Sequence, residues 1–102
     1  MKKLMPPIHP GEILWEDLME PLGLSQNKLA AALGVDPGRI NQIVTGRRSI
    51  TGDTALRLAR YFGNSPEFWM NLQKDYDLEV AKDAKQEEIM RTVKPREQVA
   101  TG

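Results

Sequence analysis

Two short helical patterns that are separated by only three residues constrain this chain more than any other part of its sequence. The first combines two leucines four residues apart with the small run Ala30 to Ala32, and it stops at Gly34, a residue type that commonly ends helices. In the second, Asp36 is a good N-cap and Pro37 suits the first helical position. The apolar stripe that follows consists of Ile40, Ile43 and Val44. A helix, a turn and a second helix are therefore predicted in direct succession.

The short turn determines how these two helices pack. Helices joined by three residues must cross sharply, and a close crossing needs a small residue such as Ala30 between them. Because successive helical residues are about 100° apart, the second helix has a polar, mostly uncharged face opposite its apolar stripe. That face consists of Gly38, Asn41, Gln42 and Thr45, with Arg39 at its flank.

This polar face has the chemistry that base recognition requires. An amide side chain can donate and accept hydrogen bonds together, as reading the major-groove edge of adenine requires, and arginine can recognise guanine in the same way. The alternative is a surface helix whose polar residues are only solvated. Because the sharp turn, the small crossing residue and the polar face occur together, we interpret residues 25–48 as a DNA-binding helix-turn-helix.

Composition excludes several classes of function. The 102 residues suffice for one small domain with one core. The absence of Cys excludes disulfides and thiolate metal sites, and the single His9 makes an all-protein zinc site implausible. No nucleophile site, Gly-rich phosphate loop or metal-ligand spacing accompanies His9, which we expect to pack or cap at the start of the first helix. We predict that the chain is not an enzyme and needs no cofactor, metal or small-molecule substrate.

The sequence contains no apolar stretch suited to a membrane. Its start, MKKLMPPIHP, lacks the apolar core of a signal peptide, and no stretch approaches the roughly 18 uninterrupted apolar residues of a membrane span. We therefore expect a soluble cytoplasmic protein without a membrane partner.

Charge is distributed unevenly along a chain whose formal net charge is zero. Residues 25–60 contain six basic residues and two acidic ones, a local charge of +4. Residues 9–24 contain four acidic residues and no Lys or Arg, a local charge of −4. The basic segment is enough to hold phosphates, while the acidic segment can keep the protein soluble or contact a basic partner.

The N-terminal residues predict an extended arm followed by a helix. Three prolines between residues 6 and 10 oppose helix formation over residues 1–8. The first helix should start near Pro10 and be closed by Pro21 and Gly23. Its core stripe should consist of Ile13, Leu14, Leu18 and, as a further candidate, Leu22.

The C-terminal half predicts two more helices. Thr51 can cap a fourth helix that Gly63 ends, and Ser65 with Pro66 repeats the cap-and-proline start for a fifth. Pro95 must end that helix, and we expect the tail over residues 94–102 to be disordered. The prediction is an all-α domain of five helices over residues 9–80, with a helical extension and tail over residues 81–102.

The chain resembles the HigA-type antitoxins in four segments: HPGEIL at residues 9–14, PLGLSQNKLAAALGV at 21–35, ITGDTALRLARYFG at 50–63 and SPEFWMNLQKDYDL at 65–78. These antitoxins belong to the Xre family of helix-turn-helix proteins, which includes the phage Cro and repressor proteins. The segments cover most of residues 9–80, and FWMNLQ is not a general feature of Xre proteins. The resemblance implies a lambda-repressor-like fold.

The resemblance also implies two linked activities. A HigA-type antitoxin silences a toxin, usually a small HigB-type ribonuclease that cleaves mRNA, and represses the operon that encodes both. The toxin is then the enzyme, and the DNA partner is a double-stranded operator. The alternatives are a stand-alone Xre-family regulator without a toxin, and a protein-interaction module that has lost DNA binding.

Further implications concern the DNA contacts. By resemblance, Gln26 should bind a phosphate and help to position the recognition helix, and positions 38 and 42 should read bases. This chain departs from many relatives because Pro37 and Gly38 cannot hydrogen-bond a base through a side chain. Either base reading shifts along the helix, or Gly38 lets the helix approach DNA more closely. The predicted base-reading residues are Gly38, Arg39, Asn41 and Gln42.

Residues around the recognition helix are predicted to bind phosphates. Arg47 and Arg48 directly follow this helix, where a chain that leaves the groove must pass the DNA backbone. A solvated basic turn is the alternative, and Thr51 and Lys28 have plain capping and solvation as alternatives. The predicted phosphate-binding residues are Ser25, Gln26, Lys28, Thr45, Arg47, Arg48 and Thr51.

The fifth helix holds more large apolar side chains than so small a core readily covers. We predict that part of its surface forms a symmetric homodimer interface, which would place two recognition helices about 34 to 36 Å apart and match an inverted-repeat operator. Burial in the chain's own core is the alternative, and we favour it for Phe68 and Leu72. The predicted interface consists of Phe68, Trp69, Met70, Leu72 and Tyr76.

The acidic face of the first helix is the candidate for toxin contact, because a ribonuclease must itself be basic to hold RNA. Helix-dipole and solvation roles are the alternatives. The predicted toxin-contact residues are Glu12, Glu16, Asp17 and Glu20.

Overall fold

The computed structural model describes residues 6–97, which form five helices and no strand. The elements are α1 (Pro10–Ile13), which continues as a π-helical segment (Leu14–Met19), α2 (Gln26–Leu33), α3 (Pro37–Val44), α4 (Gly52–Phe62) and α5 (Pro66–Thr92). The predicted all-α, five-helix fold is confirmed. Predictions that concern residues 1–5 of the arm and residues 98–102 of the tail lie outside the described residues.

The predicted caps set the starts of the helices. Ser25, Asp36, Thr51 and Ser65 each accept a hydrogen bond from a backbone N–H in the first turn of α2, α3, α4 and α5, respectively. His9 does the same for α1, since its Nδ1 accepts from the Gly11 N–H at 2.9 Å. Gly34 and Gly63 end α2 and α4 with φ of 71° and 78°, in the left-handed region that glycine adopts without a steric penalty. Local sequence chemistry therefore defines the helix boundaries.

The first helix departs from its predicted core stripe. Its second half is π-helical, with the Glu20 N–H donating to the Trp15 carbonyl five residues earlier at 2.8 Å. The wider turn brings Met19, five residues after Leu14, to the inner face, and both side chains are fully buried. The expectation for Leu22 is wrong, because its side chain lies beyond the helix and is 65% exposed.

The core lies between the first helix, α2, α3, α4 and the start of α5. Ala30 is fully buried, as expected for the residue at a close helix crossing. A second close approach occurs at Gly11, where an added Cβ would lie 1.8 Å from the Ile43 carbonyl oxygen. α1 therefore rests directly on the backbone of α3 and fixes its position. Trp69 of α5 completes the core with a fully buried ring.

The second half of α5 extends beyond this core. Every described residue from Val80 to Glu97 is exposed, and the helix ends at Thr92, before Pro95 as predicted. None of the helices in residues 6–97 is long and apolar enough to cross a membrane.

Candidate nucleic-acid interface

The orientation of α3 follows from its apolar stripe. Ile40 and Ile43 are fully buried and Val44 packs against the core, so the opposite face of the helix points outward. Its polar side chains are not free in this structure. Each is hydrogen-bonded to another part of the helix-turn-helix, to the loop that follows α3 or to α4, and these bonds distinguish their roles.

Gln42 is held by one of the two loop arginines. Its Oε1 accepts a hydrogen bond from Arg48 Nε at 2.8 Å. Nothing in the described part of the chain accepts from its Nε2 group, which is left to donate. Gln42 therefore combines a fixed orientation with an unused donor on the outer face of α3.

Asn41 is bonded at both ends of its amide. Its Nδ2 donates to Gln26 Oε1 at the start of α2 at 3.1 Å, and its Oδ1 accepts from Arg47 Nη2 at 3.2 Å. Arg47 Nε also donates to Thr45 Oγ1 at 3.1 Å. The N-terminus of α2, the middle of α3 and the following loop are thus joined by a single chain of hydrogen bonds.

Arg39 joins α3 to α4. Its Nη1 lies 2.9 Å from Asp53 Oδ2 and 3.4 Å from Thr54 Oγ1. The same carboxylate oxygen accepts from Arg57 Nε at 2.8 Å. Hydrogen bonds from Arg57 and then Arg39 hold the pKa of Asp53 below its usual 3.8. Arg39 was predicted to read bases, but its guanidinium is engaged here in connecting two helices.

Arg57 has a structural role that the sequence motif did not indicate. Its Nη1 donates to the Leu33 carbonyl at 2.8 Å, which satisfies a free carbonyl at the end of α2. The spacing of Asp53 and Arg57 by four residues is a signal for their ion pair, but nothing in the sequence indicates the contact with α2.

The remaining predicted phosphate contacts surround this network. The side chains of Lys28, Arg47 and Arg48 are exposed, whereas the Ser25 and Thr51 hydroxyls accept the capping bonds of α2 and α4. Gly38 also has a local role, because an added Cβ would lie 2.8 Å from the Asp36 oxygen that caps α3.

The loop after α3 rests on two buried polar side chains. Gln73 Oε1 accepts from the Ile50 N–H at 2.7 Å, and its Nε2 donates to Asp77 at 2.9 Å. His9 lies beneath the C-terminal end of α3, and its ring contacts that of Tyr76 edge-on at 4.9 Å. Burial lowers the pKa of His9, although Asp77, a hydrogen bond with the Arg48 backbone and Glu12 oppose that shift. His9 therefore packs and caps, as predicted.

Known proteins share the helix-turn-helix fold of this chain. A family described as Helix-turn-helix matches residues 16–69, which include α2, α3, α4 and the connecting turns. Among solved structures, the addiction module antidote protein of a HigA family from Coxiella burnetii is similar over 90% of this chain and 100% of its own, with a TM-score of 0.84 and 49% identity. The chain belongs to the HigA-type antitoxins of the Xre helix-turn-helix family.

Two further relatives extend this comparison. The HigA-type chain is 56% identical over 85 residues to virulence-associated protein I of Dichelobacter nodosus, which covers 83% of this chain and 79% of that protein. It is also similar to Pseudomonas aeruginosa antitoxin HigA, solved with the higBA promoter, with a TM-score of 0.84, 44% identity, and coverage of 87% of this chain and 97% of that one. This family consists of DNA-binding antitoxins and regulators and is not an enzyme family.

The HigA-type fold divides the predicted dimer residues between core and surface. Trp69 is fully buried in the chain's own core, so it offers no surface to a partner, in contrast to the prediction. Leu72 packs against the core, and Tyr76 is half-buried beside His9. The burial expected for Phe68 is wrong, since its ring stands on edge against Trp69 and is 41% exposed. The exposed apolar surface at the start of α5 therefore consists of Phe68 and Met70.

The acidic residues at the start of this HigA-type chain are all exposed. None of them forms an ion pair with another residue in the described range. The group consists of Glu12, Glu16, Asp17 and Glu20. Over residues 6–97, no three His, Asp or Glu side chains are grouped so that they could hold a metal ion.

Proposed function

We propose that this HigA-type protein acts in the cytoplasm as a homodimer that represses its own operon by binding an inverted repeat in the operator, and that it neutralises a HigB-type mRNA-cleaving toxin. The observation that carries the DNA-binding part is the outer face of α3. There Gln42 presents an oriented amide donor, beside a hydrogen-bond chain through Asn41 that joins phosphate candidates at the start of α2 and in the loop after α3.

The roles on this face follow from what each side chain can still donate. Gln42 has its Nε2 available for the acceptor atoms of a base edge in the major groove. No carboxylate of residues 6–97 pairs with Arg47 or Arg48, so both guanidinium groups suit contacts with the DNA backbone. Gly38 places no side chain between α3 and the bases, so the helix can approach the groove closely.

Homodimerisation is proposed through the start of α5. Phe68 and Met70 are 41% and 39% exposed, and they lie at the edge of the core that Trp69 fills. Two copies that bury these side chains would bring two recognition helices to one face, at a spacing of about 34 to 36 Å for adjacent half-sites. Each half-site then contributes to the total affinity.

Operator binding can be tested with the DNA directly upstream of the gene. We expect binding to an inverted repeat in that region, and we expect Gln42→Ala to reduce the preference for it by about 1 to 3 kcal/mol for each base that Gln42 reads. Gln86→Ala is the matched control, since it removes an exposed amide from the projecting half of α5. Equal binding of the wild-type protein to the operator and to scrambled DNA would contradict the proposal.

The toxin part is tested by co-expression with the neighbouring gene. We expect this protein to restore growth when the neighbouring product is toxic, and we expect the charge reversals Glu16→Lys, Asp17→Lys and Glu20→Lys together to abolish rescue. The matched control reverses three exposed acidic residues of the α5 extension: Asp83, Glu87 and Glu88. Rescue that survives reversal in the first helix would exclude the acidic surface as the contact. The absence of any toxic neighbour would favour a stand-alone regulator.

A further inference from the structure

The hydrogen-bond chain through Asn41 has a fixed direction. The guanidinium of Arg47 can only donate, so the Asn41 atom that faces it at 3.2 Å must be the oxygen. The Asn41 NH2 group then points to Gln26, which must present its own oxygen at 3.1 Å. Arg47 in the loop therefore determines the orientation of the Gln26 amide at the start of α2.

This direction leaves Gln26 with the group that a phosphate needs. Its oxygen is occupied by Asn41, and no residue in the described range accepts from its NH2 group. Phosphate oxygens only accept hydrogen bonds, so an amide held in the opposite orientation would present oxygen to oxygen. The chain of bonds thus holds the Gln26 amide in the orientation that a hydrogen bond to a phosphate needs.

Asn41 is poorly suited to the role of base reader. An amide that recognises adenine uses its oxygen and its NH2 group together. In Asn41 both groups are already bonded within the protein. In Gln42 only the oxygen is bonded, to Arg48, and the NH2 group has no partner in the described part of the chain, so it can still donate to an acceptor on a base. Asn41 is also half-buried, between the start of α2 and the loop after α3.

We propose that Asn41 is a positioning residue that couples Arg47 to Gln26 and orients the Gln26 amide toward the DNA backbone, and that it does not read a base. This inference rests on the proposed DNA-binding function. In this proposal Gln42 provides the preference for a DNA sequence. The hydrogen-bonded residues Gln26, Asn41 and Arg47 provide affinity for DNA of any sequence.

A double-mutant cycle tests the coupling. The full-length wild-type protein, Gln26→Ala, Asn41→Ala and the double variant are titrated with operator duplex and with scrambled duplex of equal length. We expect each single change to weaken binding to both duplexes by about tenfold, as for removal of a hydrogen bond to a charged group. The double variant should be about as weak as either single variant, well short of the roughly hundredfold loss that independent contacts would give.

The outcomes separate this inference from the function on which it rests. Losses that multiply, or a changed preference at one base pair in Asn41→Ala, would overturn the positioning role while operator binding stands. A wild-type protein that binds neither duplex would overturn both. Gln42→Ala is the positive control, because its sequence preference should change. Gln86→Ala is the negative control, because its binding should not change. Circular dichroism confirms the fold of each variant, and Asn41→Ser replaces Asn41→Ala if the latter does not fold.

Discussion

The two sides of α3 use arginine in different ways. On the side toward α4, Arg39 and Arg57 share the carboxylate of Asp53, and Arg57 also binds the end of α2. On the outer side, Arg47 and Arg48 donate to the amides of Asn41 and Gln42. The single carboxylate offsets one of the two positive charges on the first side, whereas an amide carries no charge and leaves that of its arginine unopposed. The first arrangement therefore holds helices together, and the second is suited to a polyanion.

The largest effect should come from the contact that sets the position of α3 itself. Gly11→Ala places a Cβ against the Ile43 carbonyl, where the flanking backbone of two helices must move apart. We expect a loss of about 3 kcal/mol in the free energy of unfolding, measured by chemical denaturation. Gly52→Ala is the matched control, because an added Cβ there meets nothing within 4 Å. Equal stability of the two variants would mean that α1 does not rest on α3 in this way.

A smaller effect is expected on the outer side of α3. Arg47→Ala should weaken binding to all duplexes alike and reduce the slope of log affinity against log salt by about one, since the variant makes one phosphate interaction fewer. Its thermal stability should not change, because its partners Asn41 and Thr45 remain solvent-accessible. Lys85→Ala, in the projecting half of α5, is the control for loss of one positive charge. An unchanged salt slope would mean that Arg47 contacts no phosphate and serves only in hydrogen bonds within the protein.

His9 caps α1 and lies beside Gly46 in the loop after α3. Its contribution to the free energy of unfolding should depend on pH. Because burial lowers its pKa from 6.5 in the folded state, the unfolded chain takes up the proton first as the pH falls. Stability should therefore decrease below about pH 6.5 and be unaffected by His9 above that range. His9→Asn retains a capping acceptor and should remove this dependence, as denaturation at pH 5 and pH 8 would reveal. The same pH dependence in both proteins would assign it to another group.

The smallest effect is expected at Asp53, because its ion pairs are exposed to solvent. Its lowered pKa means that the stabilisation is present above the ordinary value of 3.8 and is lost as the pH falls through the folded-state value. Asp53→Asn should therefore be slightly less stable than the wild-type protein at pH 7, and the difference should disappear in strong acid. If Asp53→Asn remained less stable than the wild-type protein in strong acid, the difference would come from packing, because the ion pairs require a charged carboxylate.

Prediction from sequence succeeded where the signal is local. The caps at Ser25, Asp36, Thr51 and Ser65, and the glycine ends of α2 and α4, act within a few residues and define the helices correctly. Prediction was less successful for the partners of polar side chains. The face of α3 was correctly assigned, but the connection of Arg39 to Asp53 spans 14 residues and that of Asn41 to Gln26 spans 15. No periodic pattern encodes such pairs.

The sequence by itself determined the family, the helix order and the concentration of positive charge around the recognition helix, because capping chemistry, helical periodicity and charge are properties of neighbouring residues. The tertiary structure alone decided which apolar residues of the first helix and of α5 are buried. A π-helical turn moves Met19 inward, and Trp69 enters the core while Phe68 stays at the surface. It also decided which amide on α3 keeps a free donor, because the position of each arginine depends on how the helices pack.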